Sequence, residues 1–206
     1  MYIIIGCFNW IGYHLTDALL VNGEKVVGVD HLGNPKKEEL ALNIGRNANF
    51  TLYEKIDASN LKELDPKAIF VFDARVDSNC TYSFDGRCFI CTNEGVAKNN
   101  IIEITPPLLY GEWMERTATG YYQDHTFIKF NSDLFNDKAI YIKDFVYAMV
   151  QLIDASVLPD SITYYTPTQT MNKPTYKDEL FILPSMPNKK RLAKVDDFYH
   201  MNSDFQ

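Results

Sequence analysis

Cysteine is scarce in this sequence, and the four that occur, Cys7, Cys80, Cys88 and Cys91, show no paired metal-ligand spacing. That argues against a zinc-stapled or disulfide-framed domain. Cys88 and Cys91 do form a Cys-x-x-Cys, but within an apolar run that reads as a strand. Buried free thiols are therefore expected there, with no metal and no redox pair. Positive charge is also short: 20 Lys and Arg against 27 Asp and Glu leave a net charge of −7. A nucleic-acid surface needs a positive face to meet phosphates, so no nucleic-acid partner is expected. No apolar run is long enough to span a bilayer, and the opening Met1 to Ile5 has no basic leader. The expectation is a cytoplasmic protein with no membrane partner. Internal repeats and low-complexity tracts are missing as well.

What is present is a globular composition, 206 residues of which 46% are hydrophobic and 14% aromatic, enough for a real core. The chain opens on Tyr2-Ile3-Ile4-Ile5, a short β-branched run that suits a buried parallel strand. A turn from Gly6 to Gly12 follows, then a helix to Val21, with Leu15, Ala18 and Leu19 at helical spacing and Asn22-Gly23 as its stop. A second strand, Lys25 to Val29, ends on Asp30. Strand, glycine turn, helix, strand and acid, with the acid roughly 20 residues past the turn, is the order of a dinucleotide-binding unit.

The turn carries the chemistry. A helix that starts directly after a strand aims free N–H groups and the positive end of its dipole above the sheet, where a pyrophosphate is stabilised. Gly6 and Gly12 stand at the first and third glycine positions, and Asn9 takes the middle one. Asn tolerates positive φ better than most residues, so such a turn can form. Asp30 would accept hydrogen bonds from ribose hydroxyls and repel a 2′-phosphate, which favours NAD over NADP.

The stretch Ile5-Gly6-Cys7-Phe8-Asn9-Trp10-Ile11-Gly12-Tyr13-His14-Leu15, with Val26 to Asp30, resembles the amino terminus of extended short-chain dehydrogenases, the NAD-dependent sugar-nucleotide epimerase/dehydratase family. Ile5 replaces a Thr of that pattern, Asn9 a Gly and Trp10 a Phe. Three later segments extend the likeness thinly along most of the chain: Ile56-Asp57, Ile104 to Gly111 and Ile140 to Ala148. The resemblance implies NAD as cofactor, held by Gly6, Asn9, Trp10, Ile11, Gly12, Asp30 and Ala74, with Asp57 meeting the adenine ring.

The fold class expected is α/β, a Rossmann-like doubly wound parallel sheet with reduced helices on one face and a small C-terminal cap. Residues 1–110 would form the nucleotide-binding core, and 111–206 the rest of the sheet plus the cap, in the same compact unit. Further strands are read at Phe50 to Ile56, Ala68 to Phe72, Arg87 to Cys91 and Ile101 to Thr105. Ser59 or Asn60 would cap a short helix after the third strand. Later come a strand at Lys138 to Ile142, a helix at Lys143 to Ala155 and a strand at Ser161 to Thr166. Tyr176 to Leu183 reads as helix or extended, Pro184 to Arg191 as a basic link, and Val195 to Gln206 as an acidic aromatic tail.

The links around the fifth strand are short. Val76 to Gly86 is polar and aperiodic, and Asn93 to Asn100 has room for one helical turn, where a parallel crossover usually needs about a dozen residues. The family's oxidoreductases carry a Tyr and a Lys four residues apart on the helix after that strand; the Lys lowers the Tyr pKa, and the Tyr exchanges a proton with substrate. No Lys in this sequence has a Tyr four positions before it. Thr92 stands at the family's strand-end hydroxyl position, and His125, near Tyr121, Tyr122 and Asp124, is either an acid/base or a surface residue. A degenerate, non-catalytic nucleotide-binding or structural module is expected. The alternative is an NAD-dependent nucleotide-sugar epimerase/dehydratase with unorthodox acid/base residues. Missing helices would bare Ile69, Val71, Phe89 or Ile101, so a second copy or another protein is expected to cover them, unless the Lys189 to Gln206 tail does.

Overall fold

A computed structural model describes residues 1–73, 86–92, 101–123, 125–155, 157–165 and 179–202. The chain divides into two compact units, residues 1–105 with 149–162, and residues 106–148 with 163–206.

The first unit holds β1 (Tyr2–Ile5), α1 (Trp10–Val21), β2 (Val26–Val29), α2 (Pro35–Ile44), β3 (Phe50–Tyr53), α3 (Ala58–Leu64), β4 (Ala68–Val71), β5 (Arg87–Cys91) and β6 (Ile101–Thr105). All six strands pair in parallel, β3-β2-β1-β4-β5-β6, with Ile3 opposite both Val27 and Ile69. The sequence marks them because each is a short apolar run buried on both faces. The order reverses between β1 and β4, which is where open α/β sheets bind ligands.

Alternation along the strands makes two cores. Ile3, Ile5, Val27, Val29, Ile69, Val71, Cys88, Ile90 and Ile101 form one cluster with Ile56 and Leu61. Phe70 and Phe89 stack with ring centres 4.7 Å apart. Ile69, Val71, Phe89 and Ile101, expected on a bare face, are all buried within the single chain, so covering them is no reason to invoke a partner. Residues three apart on a strand point to opposite faces, so Cys88 and Cys91 are not placed as a Cys-x-x-Cys pair. Burial pushes both thiols up to about 12.

Two expectations need correction, on the cap of α3 and on the basic link. Asp57, not Ser59 or Asn60, caps α3: its side chain accepts the Asn60 N–H at 2.9 Å, and the Asn60 side chain accepts the Asp57 N–H in return. Asn34 caps α2 with Pro35 already helical, because proline's fixed φ suits a first helical position. The supposed basic link from Asn188 to Arg191 is the first turn of a helix, described next. The connections at 74–85 and 93–100, and Ala74 with them, lie outside the described residues.

The second unit contains β7 (Leu109–Tyr110), β8 (Gly120–Gln123), β9 (Thr126–Lys129), α4 (Asp133–Lys138), β10 (Ile140–Tyr141), β12 (Glu179–Phe181) and α6 (Asn188–Met201). The division between units falls within α5 (Ile142–Ile153) and within β11 (Ser161–Tyr165). β7 pairs in parallel with β10, and β8 with β9 as an antiparallel hairpin. Tyr110, Phe135, Phe130 and Tyr121 pack ring on ring, with Tyr110 and Phe135 centres 4.8 Å apart. The extended reading of Tyr176 to Leu183 holds for Glu179 to Phe181, which form β12.

Candidate functional site

The β1–α1 turn is built from backbone contacts that leave no room for side chains. Gly6 has φ +77°, and a Cβ there would lie 2.9 Å from the Asp73 amide nitrogen beyond β4. A Cβ at Gly12 would collide with the Gly6 carbonyl oxygen. These two glycines bring the helix start against the strand end, as a pyrophosphate cradle requires. The Gly6 carbonyl accepts the Asn9 N–H at 2.9 Å, and the Gly6 N–H donates to Val29 at 2.8 Å, which ties the turn to β2.

Asn9 does not supply a left-handed residue. Its φ is −62° and its backbone extended, because it is the N-cap of α1, with its side-chain oxygen accepting the Ile11 N–H at 3.0 Å. An amide that would face an anion is thus satisfied within the chain. Trp10 and Ile11 begin the helix and are half-buried. Trp10 and Tyr13 both pack edge-on against the buried His14 ring, at 6.3 and 5.5 Å between centres. His14 is a packing residue there.

Asp30 is joined to the turn, as its position predicts, but it is turned inward and only 2% exposed. One carboxylate oxygen accepts the Phe8 N–H at 2.8 Å. The other accepts the His31 N–H at 2.8 Å and the ammonium of Lys37. The buried charge is therefore neutralised and fully hydrogen-bonded, as a buried carboxylate must be. Lys37 was missed in the sequence; the available signal was Asn34-Pro35, a helix start that sets Lys37 in the first turn, seven residues past the acid. Burial, with the Asp30 charge next in importance, pushes the Cys7 thiol well above its ordinary value.

The other candidates are placed separately. Asp57 is exposed at the head of α3, where the Ser59 hydroxyl and then the Asn60 amide hold its carboxyl below the usual range. Thr92 is half-buried just past β5, and its N–H donates to the Ile104 carbonyl at 3.1 Å. His125, in the second unit, is exposed at φ +64° immediately before β9, which pairs with β8. Positive φ there suits a hairpin. Among the described residues, no group of three His, Cys, Asp or Glu is arranged to hold a metal ion, and no helix is long and apolar enough to cross a membrane.

Neither a family model nor a curated protein sequence matches this chain. Solved structures do. UDP-glucose 4-epimerase of Thermotoga maritima, with UDP-glucose, aligns at a TM-score of 0.60 and 13% identity, covering 98% of this chain and 99% of that one. This chain shares that epimerase's fold. The Bordetella bronchiseptica enzyme WbmG, in complex with NAD and UDP, shares it at a TM-score of 0.57 and 9% identity, over 98% of this chain and 95% of its own. Yeast methylglyoxal/isovaleraldehyde reductase Gre2, complexed with NADPH, does so at 0.52 and 12%, over 100% and 99%. The epimerase fold thus serves reductases as well. In this chain it keeps the glycine cradle, while Asn9 and Lys37 occupy polar groups around it.

Proposed function

We propose that this protein is a non-catalytic nucleotide-binding module built on the epimerase fold. The observation that carries the reading is the absence, anywhere in the sequence, of a Tyr followed four residues later by a Lys. The link where the family's paired helix would lie supports it, since only the nine residues 92–100 separate the parallel strands β5 and β6. An adenine dinucleotide fits the cradle: the Gly6 to Gly12 backbone would take the pyrophosphate, and the Asp30 corner the adenosine ribose. NAD is the reference ligand, because solved neighbours carry it.

Titration calorimetry with NAD, NADH and UDP-sugars, beside assays for nucleotide-sugar turnover, tests the reading. Dinucleotide binding without turnover is expected. Turnover would overturn it in favour of an enzyme with other acid/base groups, Thr92 or His125 among them. Absence of any binding would reduce the fold to a structural role.

A further inference from the structure

The corner beyond β2 presents the opposite charge to the one its sequence suggests. Asp30 is 2% exposed, while its partner Lys37 keeps 22% of its side chain accessible. A ligand arriving at that corner therefore meets an ammonium, not a carboxylate. An ammonium has three N–H donors, and Asp30 accepts from Lys37 through a single oxygen, so donors remain for a further acceptor. Lys37 also sits in the first turn of α2, where the helix dipole disfavours a cation. The Asp30 carboxylate offsets that cost, and an added anion would offset it further.

Resting on the nucleotide-binding reading above, we infer that Lys37 makes this site accept a 2′-phosphorylated adenine dinucleotide, with Asp30 serving to hold the lysine rather than to bind ribose. In a dinucleotide-binding unit, the acid after the second strand meets the 2′-hydroxyl, and a nearby cation accommodates a 2′-phosphate. Here both groups occur together, and the cation is the outer one. The Phe8 and His31 N–H groups keep Asp30 solvated by the backbone when the ammonium turns to a phosphate.

Calorimetry with NADP and NAD on the wild type, Lys37→Gln and Lys37→Arg decides the matter. The wild type should bind NADP at least as tightly as NAD. Lys37→Gln should lose about ten- to a hundredfold of NADP affinity while NAD binding holds or improves, and Lys37→Arg should keep NADP. NAD binding with NADP rejected by the wild type overturns this inference alone, and so does an unchanged NADP-to-NAD ratio in a folded Lys37→Gln. If Lys37→Gln does not fold, the wild-type ratio and Lys37→Arg still decide. Failure of both ligands to bind the wild type overturns the nucleotide-binding reading, and this inference with it.

Discussion

In the β1–α1 turn every hydrogen bond starts from a backbone N–H and closes within a short span of sequence, whereas α6 in the second unit is held by side chains that arrive from far along the chain. Gly6, Asn9, Ile11 and Phe8 bond within the span from Gly6 to Asp30. By contrast, the Tyr110 hydroxyl donates to Asn188, 78 residues away, and the Tyr199 hydroxyl to the Met114 carbonyl, 85 away. Arg116 lies between the rings of Phe130 and Tyr199, at 4.6 and 4.8 Å, and its Nη2 meets Asp196 at 2.6 Å. Backbone-built geometry demands particular residues, above all glycine. Side-chain-built geometry accepts many residues and leaves no spacing rule behind.

The comparison is tested hardest at Gly12. Gly12→Ala sets a methyl against the Gly6 carbonyl, and backbone cannot step aside as a flexible side chain can. A loss of about 3 kcal/mol in urea unfolding is expected. Gly23→Ala is the control: its Cβ would meet nothing, so only its φ of +78° resists, at about 1 kcal/mol. Equal losses at the two sites would show that close approach is not what the turn depends on.

In the second unit the matching change is Arg116→Ala. The arginine side chain is 10% exposed and its Asp196 partner 39%, so the pair is only partly desolvated, and solvent screening reduces its worth. Adding the lost ring contacts, about 2 kcal/mol is expected, with faster hydrogen exchange in α6. Arg116→Lys keeps the charge but not the flat stacking surface, and it should recover only part of the loss.

This division also governs what was legible in the sequence. β1 to β6, the α1 stop at Asn22-Gly23 and the glycine cradle could all be read, because each rests on a local run or a local dihedral demand. The orientation of Asp30 could not, since it depends on a lysine whose reach is fixed only once α2 has formed. The hairpin of β8 and β9 and helix α4 passed unnoticed. So did α6, whose buried Val195 and Tyr199 stand in helical register but are flanked by the charged run Asn188 to Lys194 and by Asp196-Asp197. Composition there signals solvent, and only the partners of Arg116, Asn188 and Tyr199 reveal a docked helix.

A smaller effect is expected at Asn9, where the turn departs from its glycine pattern. Asn9→Ala removes the cap on Ile11 and should cost about 1 kcal/mol, whereas Asn9→Gly should cost only a few tenths. Both free the Ile11 N–H for an anion, so dinucleotide affinity should rise in both as stability falls. If affinity falls instead, the Asn9 side chain belongs to the ligand contacts and is not a competitor for them.

The smallest expected effect is a pH dependence at Asp57, the most local of these contacts. Its carboxyl titrates below its unfolded value of about 3.9, because the Ser59 hydroxyl and the Asn60 N–H favour the ionised cap. The sign follows from linkage. A lowered folded pKa adds stability that is fully present well above the unfolded value and is lost as pH falls through the folded one. Asp57→Asn keeps a capping side chain but cannot titrate. Above about pH 5 the wild type should be the more stable by a constant margin, and that margin should shrink as pH falls through the lowered folded pKa. A margin that persists into acid would mean that the cap works through shape, and that the charge at the head of α3 adds nothing.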